Sequence, residues 1–304
     1  MGAGQRDGGA DVTSLADLIE DTRRHLYSGR PETLNQIAAC DGSTTTVTLN
    51  RTLSNVAAGT ILSVGLEAMH VWSVTDQQAG TLEVLRGHLG STAAAHGENE
   101  IVRVAPMHTD FAIFRALNAE IAALSGAGIF RMKTLDLTTS TDGSRTYDLA
   151  TDVLDVYDVR ADPDIAANTW PSVSSWTWLP DMDATEFPSG RALRIDSSVP
   201  WDRPLRVVYK AALAPLETLA DDVEAVGGLR ASAHDIPPLG AAWRLTAPAE
   251  VERNRTDRQG DSRRAEEVPP GAKLRSPLGL QQVRQQRIAE ELLLQQRLYP
   301  SRGR

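Results

Sequence analysis

The sequence predicts an α+β protein in which small antiparallel β modules are inserted between helices of a helical core, with one more helix at the C-terminal end. Three observations predict this class. Apolar and polar residues alternate within two separate stretches, 31–107 and 131–212, as they do in half-buried strands. Between these stretches, apolar residues recur at the spacing of amphipathic helices. A segment with almost no apolar residues, 254–273, then precedes the last helix.

Taken in order, the elements divide the chain of 304 residues into six segments. These are an N-terminal amphipathic helix at 1–30, a first β module at 31–107, a core helix at 108–130, a second β module at 131–212, core helices at 213–253, and a basic linker with a C-terminal docking arm at 254–304. A chain of this length can bury more than one hydrophobic core.

The first helix is predicted over 12–27. Ser14 and Asp17 have the spacing of a capping pair. One face then carries Leu15, Leu18, Ile19, Thr22 and Leu26.

The first β module is predicted from alternating residues and from turn chemistry. Strands are expected at 44–49, 60–64 and around 66–85, with a hairpin connection at 77–80. Glycines allow positive φ, so the loop from Gly87 to Gly97 is expected to interrupt the ladder before a return strand that ends at Val104.

The core helix after this module begins at a predicted cap, Thr109-Asp110, and ends at Gly126 and Gly128. Its apolar stripe is expected to be Phe111, Phe114, Leu117, Ile121 and Leu124.

The second β module is predicted from short strands separated by turn residues. The expected strands are 147–149, 153–159, 173–179, 192–195 and 205–209. Strands of this length and spacing favour a small antiparallel sandwich or barrel.

Two further helices are predicted at 216–226 and 239–255, and Ser276-Pro277 predicts the start of the last one. A helix that follows an apolar-poor linker has little of its own domain to pack against, so we expect 277–298 to be a docking arm. Its expected contact residues are Arg275, Pro277, Leu280, Val283, Arg284, Arg287, Ile288, Leu292, Leu294, Arg297, Leu298 and Tyr299.

Charge is distributed unevenly along the chain. Residues 244–304 carry 13 basic and 8 acidic side chains, whereas residues 1–243 carry 18 basic and 32 acidic ones. The arm is therefore expected to dock on an acidic surface, either of a partner or of neighbouring copies. No apolar run is long enough to cross a bilayer, the N-terminus lacks the apolar core of a signal peptide, and the single cysteine, Cys40, excludes an intrachain disulfide.

No arrangement of residues predicts catalysis. None of the six histidines forms a helical metal-ligand pair, and only His88 and His96 share a loop. Cys40 lacks the flanking sequence of a thiol enzyme, and the acidic residues Asp181, Asp183 and Glu186 fit a solvated loop. We therefore expect no catalytic residue, no cofactor and no metal site.

Four tryptophans fall in the second β module, at 170, 176, 178 and 201. They are compatible with a platform that stacks on sugars, but core or subunit contacts are the favoured interpretation. Trp176 and Trp178 are expected to face opposite sides of one strand, one in the core and one at an interface.

The loop motif resembles a module of neck and tail proteins in long-tailed bacteriophages, especially those of actinobacteria. The residues that carry the resemblance are Glu67, Met69, Val71, Val84, Arg86, Gly87, Gly90, Ser91, Thr92, Ala94 and His96. The order of segments, from a β insertion through a helix with F-x-x-F-x-x-x-N-x-E-I to a basic tail ending in Leu-Tyr-Pro, resembles head-to-tail connector or adaptor proteins.

This resemblance implies a structural virion protein made in the host cytoplasm and placed in the neck between capsid and tail. It would form a homo-oligomeric ring, expected to be a dodecamer, that binds the portal protein and the next neck protein, a stopper or tail terminator. Genomic DNA would pass through its channel during ejection without specific binding. Arg86, Gly87, Gly90, Ser91, Thr92 and His96 would form a structural turn. The alternative is a baseplate or tail-tip component with carbohydrate-facing β modules.

Overall fold

The structure is a computed structural model, and it describes residues 12–27, 31–51, 55–139, 145–162, 169–197, 199, 202–257 and 275–300. These residues contain four α-helices and three antiparallel sheets, so the predicted α+β class is confirmed. The chain forms two compact units. The first comprises Met1–Ile121 and Pro215–Ile288, and the second comprises Ala122–Ala214 and Ala289–Arg304.

The sheet of the first unit has six strands and closes on itself. The strands are β1 (Thr33–Ile37), β2 (Thr46–Thr48), β3 (Ile61–Val64), β4 (Glu67–Asp76), β5 (Thr81–Leu85) and β6 (Glu100–Val104), in the spatial order β1-β6-β3-β4-β5-β2. Ile37 at the end of β1 bridges to Leu49 just after β2. The amide of Ala38 donates to the Thr48 carbonyl at 2.9 Å, and the amide of Asn50 donates to the Gln36 carbonyl at 2.8 Å. The two outer strands are thereby joined into a small barrel.

Inward-facing side chains fill this barrel with a single apolar core. The core consists of Ile37, Val47, Leu49, Val56, Leu62, Val64, Met69, Val71, Leu82, Val84, Val102 and Val104. The predicted hairpin at 77–80 joins β4 to β5 and ends at Gly80, where φ is +73°. A Cβ at Gly80 would lie 2.2 Å from the Leu49 carbonyl oxygen, so glycine allows the hairpin to approach the β2 end of the barrel.

Helix α1 (Leu15–Tyr27) begins at the predicted capping pair. The amide of Ser14 donates to the Asp17 carboxylate at 2.8 Å, and the amide of Asp17 donates back to the Ser14 hydroxyl at 3.3 Å. Leu15, Leu18 and Ile19 are buried, as the sequence predicts. The helix packs against α3 (Ile236–Asp257), which begins three residues earlier than predicted.

Helix α2 (Asp110–Gly126) begins at the predicted cap, where the Thr109 hydroxyl accepts a hydrogen bond from the amide of Ala112. Its buried stripe differs from the predicted one in part. Ile113, Leu117, Glu120, Ile121 and Leu124 are buried, whereas Phe111 and Phe114 are only half-buried. The prediction included both phenylalanines and left out Glu120, because apolar spacing alone does not identify a buried carboxylate.

The helix predicted at 216–226 is wrong, because this segment forms turns. The carboxylate of Asp221 accepts hydrogen bonds from the amides of Glu217 and Thr218. Asp222 likewise accepts from the amides of Glu224 and Ala225. Short acidic side chains of this kind offer the backbone an alternative to helical hydrogen bonds, and here that alternative prevails. The segment predicted as core helices, 213–253, therefore contributes one α-helix, α3.

The second unit contains two three-stranded sheets that share a core. One sheet has the order β7 (Arg131–Thr138), β12 (Pro204–Ala211) and β9 (Val153–Ala161), and the other has β10 (Trp176–Leu179), β11 (Ala192–Ile195) and β8 (Thr146–Asp148). Side chains from both sheets meet in one cluster that includes Val156, Leu193 and Val207. The two sheets thus pack as a small sandwich, in which β7, like β1 of the barrel, was not predicted.

Candidate functional site

The loop motif is organised around the carboxylate of Glu67, the first residue of β4. Glu67 pairs across a two-residue hairpin with Val64, a residue of the barrel core, so its side chain also faces inward and is fully buried. It accepts five hydrogen bonds: from Arg86 Nε at 2.7 Å and Nη2 at 2.8 Å, from His96 Nε2 at 2.9 Å, from the Ala94 amide at 3.0 Å and from the Gly87 amide at 3.1 Å. We call these five residues the Glu67 network.

The electrostatics of the Glu67 network favour the ionised carboxylate. Burial alone would raise the pKa of Glu67. Hydrogen bonds from Arg86, Ala94, His96 and Gly87 outweigh the burial and lower this pKa to about 2. The same contact raises the pKa of the Arg86 guanidinium. A buried, ionised and fully hydrogen-bonded pair of this kind fixes geometry and leaves neither group available for proton transfer at neutral pH.

The network also ties together separate segments of the loop. Arg86 Nη1 donates to the carbonyls of Asp41 and Thr44, both at 2.8 Å. His96 forms a two-way backbone bridge with Cys40, and its Nδ1 lies 3.2 Å from Glu100 Oε2. The loop from 87 to 97 is therefore attached both to β6 and to the segment that precedes β2.

Backbone conformation explains the glycines and the serine of the motif. Gly87 and Gly90 have φ of +61° and +80°, in the left-handed region that favours glycine. The Ser91 hydroxyl accepts from the Ala68 amide at 2.9 Å and donates to the His88 carbonyl at 2.9 Å. Thr92 is exposed.

The structure therefore brings Arg86, Gly87 and His96 together, with Ser91 beside them, and places Gly90 and Thr92 outside the network. The central residue, Glu67, was recognised as part of the resemblance but not as a site residue. The sequence did indicate that Glu67 is buried, because it lies on the same side of the strand as Met69 and Val71. A carboxylate at an inward-facing strand position implies a cationic partner.

A second buried ion network, which the sequence analysis missed, surrounds Arg23 on α1. Its Nε donates to Asp110 at 2.9 Å and its Nη1 to Glu32 at 2.6 Å. Glu32 also pairs with Arg103 at 3.2 Å, and Arg103 contacts Glu20. A cavity of about 260 Å³ lies beside this network and is lined in part by Glu32 and Arg103. Both of these charges are already paired, so they serve the fold.

The C-terminal helix α4 (Arg275–Leu298) packs on its own chain, which corrects the expectation that it has little to bury against. Ile288, Glu291 and Gln295 are buried. Arg287 donates to Asp235 at 2.8 Å, and Gln295 Nε2 donates to the Phe130 carbonyl at 3.1 Å. The expectation failed because the buried side of this helix is largely polar, so an apolar stripe does not reveal it.

Other expected arm residues are also engaged within the chain. Pro277 is buried, Leu280 and Leu292 are half-buried, and Leu292 lies close to Gly128. Tyr299 packs its ring against Phe130 and Tyr157 at centroid distances of 5.9 and 6.2 Å. Arg297 is exposed, and the side chain of Arg275 lies outside the described residues.

One carboxylate connects three helices of the first unit. The side chain of Glu120 on α2 is fully buried and accepts a hydrogen bond from Arg244 Nε on α3 at 3.0 Å, and another from Arg284 Nε on α4. Gly240 of α3 packs directly on it, since a Cβ there would lie 2.2 Å from Glu120 Cδ. We call this arrangement the Glu120 clamp. It attaches the first half of α4.

Three leucines in the last two turns of α4 are exposed, together with the polar residues Gln296 and Arg297. Leu293, Leu294 and Leu298 are 57%, 37% and 54% exposed. We call these three residues the leucine row. Val283, another expected arm residue, is also exposed. Helix α4 therefore buries the polar residues Glu291 and Gln295 beside Ile288 and leaves several leucines exposed.

The remaining candidates stay separate. His88 stacks on His70 at 5.1 Å, whereas His96 belongs to the Glu67 network. In the part of the chain that the structure describes, no group of three or more His, Cys, Asp or Glu side chains has an arrangement suited to a metal ion. Asp183 accepts hydrogen bonds from Thr185, which lowers the pKa of its carboxyl and fits a local turn.

The tryptophans form no common platform among the described residues. Trp176 and Trp178 both pack against the core of the second unit. The expectation that they face opposite sides is therefore wrong, since residues two apart on a strand share a face. Trp170 stacks under the Arg206 guanidinium at 4.2 Å, and Trp201 lies outside the described residues.

These features define the class of the protein only as α+β, with a small closed barrel, a sandwich and an apolar row on its last helix. No family model matches the sequence, and no curated protein is significantly similar to it. Among the described residues, no helix has both the length and the apolar character needed to cross a membrane.

Proposed function

We propose that this chain is a structural virion protein, a head-to-tail connector or adaptor. In this proposal it forms a ring, expected to be a dodecamer, that binds the portal protein, extends the DNA channel towards the tail and receives the next neck protein. The observation that carries the proposal is the leucine row of α4, which is exposed although Glu291 and Gln295 beside it on the same helix are buried.

An apolar row on a helix that is otherwise anchored is suited to helix-in-groove binding. Leu294 and Leu298 are four residues apart and therefore adjacent on the helix surface, whereas Leu293 is exposed on another side of the helix. Grouped exposed leucines mark protein interaction surfaces more often than they mark ordinary surface. Because Gln295 and Tyr299 hold the last turns of α4 against Phe130, a portal groove would meet a preformed helix, which lowers the entropic cost of binding.

The Glu67 network is a second observation that supports the resemblance. Five of the residues that carry the likeness to phage neck and tail proteins form one network, in which Arg86, Gly87, Ala94 and His96 donate hydrogen bonds to the buried Glu67 carboxylate. The turn that these residues stabilise accounts for the motif, as is expected of a structural module.

The charge of the chain suits a channel that conducts DNA without holding it. The net charge is −9, and Arg23, Arg86 and Arg284 are paired with carboxylates. Tight phosphate contacts would slow ejection and make it depend strongly on salt. We expect weak, sequence-independent DNA binding at most, and sub-micromolar sequence-specific binding would contradict the connector proposal.

The experiment that tests the proposal replaces the leucine row. The double variant Leu294→Glu with Leu298→Glu places two charges where a portal groove would close, and both positions are exposed, so the fold is expected to persist. Co-sedimentation with the portal protein of the same virus should fall by about tenfold or more. Gln282→Glu with Gln285→Glu adds the same charge at exposed positions of the same helix and serves as the control.

Portal binding by the leucine variant at the wild-type level would reject docking through this row. Gene order supplies an independent test, because a connector gene is expected beside those of the portal and major capsid protein. The alternative, a baseplate or tail-tip component with carbohydrate-facing β modules, gains no support from Trp176 and Trp178, which are directed into the core.

A further inference from the structure

The barrel displays one tryptophan that its fold does not use. Trp72 is 70% exposed. In the pairing of β4 with β5, Val71 lies opposite Val84 and Ser73 lies opposite Glu83, so Trp72 is the extra residue of a β-bulge. Bulges redirect side chains, and here the bulge turns the largest side chain of the strand to solvent while the barrel interior is already filled.

Exposed residues of β5 extend this feature. Leu85 is 56% exposed, and Glu83 is exposed with its carboxylate 3.4 Å from the Ser73 hydroxyl. Among the described residues Glu83 forms no ion pair. We call Trp72, Glu83 and Leu85 the Trp72 surface. It combines a large aromatic ring and an apolar side chain with an uncompensated negative charge.

Helix α2 of the same unit carries a surface of opposite charge. Phe111 and Phe114 are half-buried, with their ring centroids 6.0 Å apart. The exposed Arg115 guanidinium lies 6.0 Å from the Phe111 ring, and within the described part of the chain it forms no ion pair. We call Phe111, Phe114 and Arg115 the Arg115 surface. The sequence predicted Phe111 and Phe114 to lie in the core.

We propose that the Trp72 surface of one copy binds the Arg115 surface of the next copy. Arg115 would pair with Glu83 and stack on the indole of Trp72, while Phe111 and Phe114 would cover Leu85. Aromatic residues and arginine are the types enriched at the centres of protein interfaces, and each surface supplies the charge that the other lacks.

The two surfaces are different, so the contact is head-to-tail. Contacts of this kind close into rings when the rotation between copies allows it, whereas a self-complementary patch stops at a dimer. The inference rests on the ring of the proposed function and names the residues that build it. It does not involve the leucine row, which remains free for the portal.

Charge reversal in the full-length chain tests the contact. Glu83→Arg and Arg115→Glu should each weaken self-association by about tenfold or more, measured by sedimentation over a concentration series. The double variant Glu83→Arg with Arg115→Glu should associate again, because the attraction is restored with reversed sign. An equimolar mixture of the two single variants should also associate, since every alternating contact is then complementary.

Trp72→Ala should weaken association to a similar extent, and Leu154→Ala, which removes an exposed apolar side chain of the second unit, is the matched control. Circular dichroism is expected to show unchanged folding for all of these exposed substitutions. A monomeric wild-type chain, both alone and with portal present, would overturn the inference. So would single variants that associate normally, or a double variant that fails to recover.

Portal binding, measured in parallel, separates the two proposals. Charge-reversal variants that lose self-association but still bind portal through α4 support both. The other outcome is a wild-type chain that associates through Trp72 and Arg115 without binding portal. That result would support the head-to-tail contact and contradict the connector function.

Discussion

The guanidinium of Arg86 donates to both carboxylate oxygens of Glu67, at 2.7 and 2.8 Å, and neither side chain is appreciably exposed. This bidentate pair joins the start of β4 to the end of β5, two strands that are adjacent in the barrel. The loop motif therefore stabilises the barrel, and its contribution can be measured as a free energy of unfolding.

Removing one partner of this pair is expected to be costly. Arg86→Ala leaves the Glu67 carboxylate buried without its main cation, and such a change costs about 3–5 kcal/mol of unfolding free energy. Arg86→Lys should recover only part of this loss, because an ammonium group cannot donate in the bidentate geometry. Urea unfolding measures both variants. Arg24→Ala, which breaks an exposed ion pair with Asp21, should cost about 1 kcal/mol or less.

The lowered pKa of Glu67 predicts a specific pH dependence. Its folded-state pKa of about 2 lies below the ordinary value of 4.5. The stabilisation is therefore complete above pH 4.5 and is lost as the pH falls through 2, a difference of about 3 kcal/mol. Glu67→Gln should remove this contribution, so the stability difference between wild type and variant should shrink as the pH falls. A difference that stays constant down to about pH 2 would contradict the assignment.

Glycines in the loop and hairpin should respond to substitution according to φ and to available space. Gly87→Val and Gly90→Val should each cost about 1 kcal/mol or more, because both residues have positive φ. Gly87→Val should be the worse of the two, since a Cβ there lies 3.0 Å from the Ser91 carbonyl oxygen, whereas Gly90 has open space. Thermal unfolding provides the comparison. Gly97→Ala, at a glycine without positive φ and with no neighbour within 4 Å, is the control.

The Glu120 clamp predicts that a small substitution on α3 acts on α4. Gly240→Ala places a methyl group where the Glu120 side chain lies, so the carboxylate must move away from Arg244 and Arg284. Faster hydrogen exchange is expected in α4, and stability should fall by about 1–3 kcal/mol. Gly279→Ala, at an open position of α4 itself, should leave exchange unchanged or slower. Equal exchange in wild type and Gly240→Ala would show that the clamp does not hold the helix.

The clamp also predicts that removal of α4 affects the stability of the rest of the chain. A docking arm at 254–304 that packed on nothing else in the chain could be deleted after Arg253 without harm to the rest of the fold. The structure shows that such a deletion removes Arg284 from Glu120, and Tyr299 from Phe130 and Tyr157. We therefore expect the truncated protein to be destabilised, and point substitutions in the leucine row are the cleaner test of docking.

Local patterns predicted much of the fold. Alternation placed strands β3, β5, β6 and most of the second module, and the capping pair at Ser14 and Asp17 placed α1. Strand β1 was missed because its apolar residue Leu34 is exposed whereas its polar residue Asn35 is buried. Strand β7 was missed although Leu135 and Leu137 alternate there with polar residues. The helix predicted at 216–226 failed because Asp221 and Asp222 bind backbone amides, a competition that apolar spacing does not reveal.

The candidate site was predicted less completely, for a related reason. Arg86, Gly87 and His96 were identified through the resemblance, but the pairing of Glu67 with Arg86 joins residues 19 apart. The Glu120 clamp joins α2 to residues 124 and 164 positions further along the chain. Contacts between charged groups so distant in sequence leave no periodic signal, and only the folded chain shows them.

The closure of the barrel has a consequence for aggregation. Among the described residues, strands β1 and β2 are joined by the short bridge between Ile37 and Leu49, which consists of two backbone hydrogen bonds. While this seam holds, the sheet presents no free edge there. If it opens, the barrel becomes an open sheet with unpaired backbone on both β1 and β2, and such edges recruit strands from other molecules. The closed seam thus protects the chain from polymerisation through its backbone.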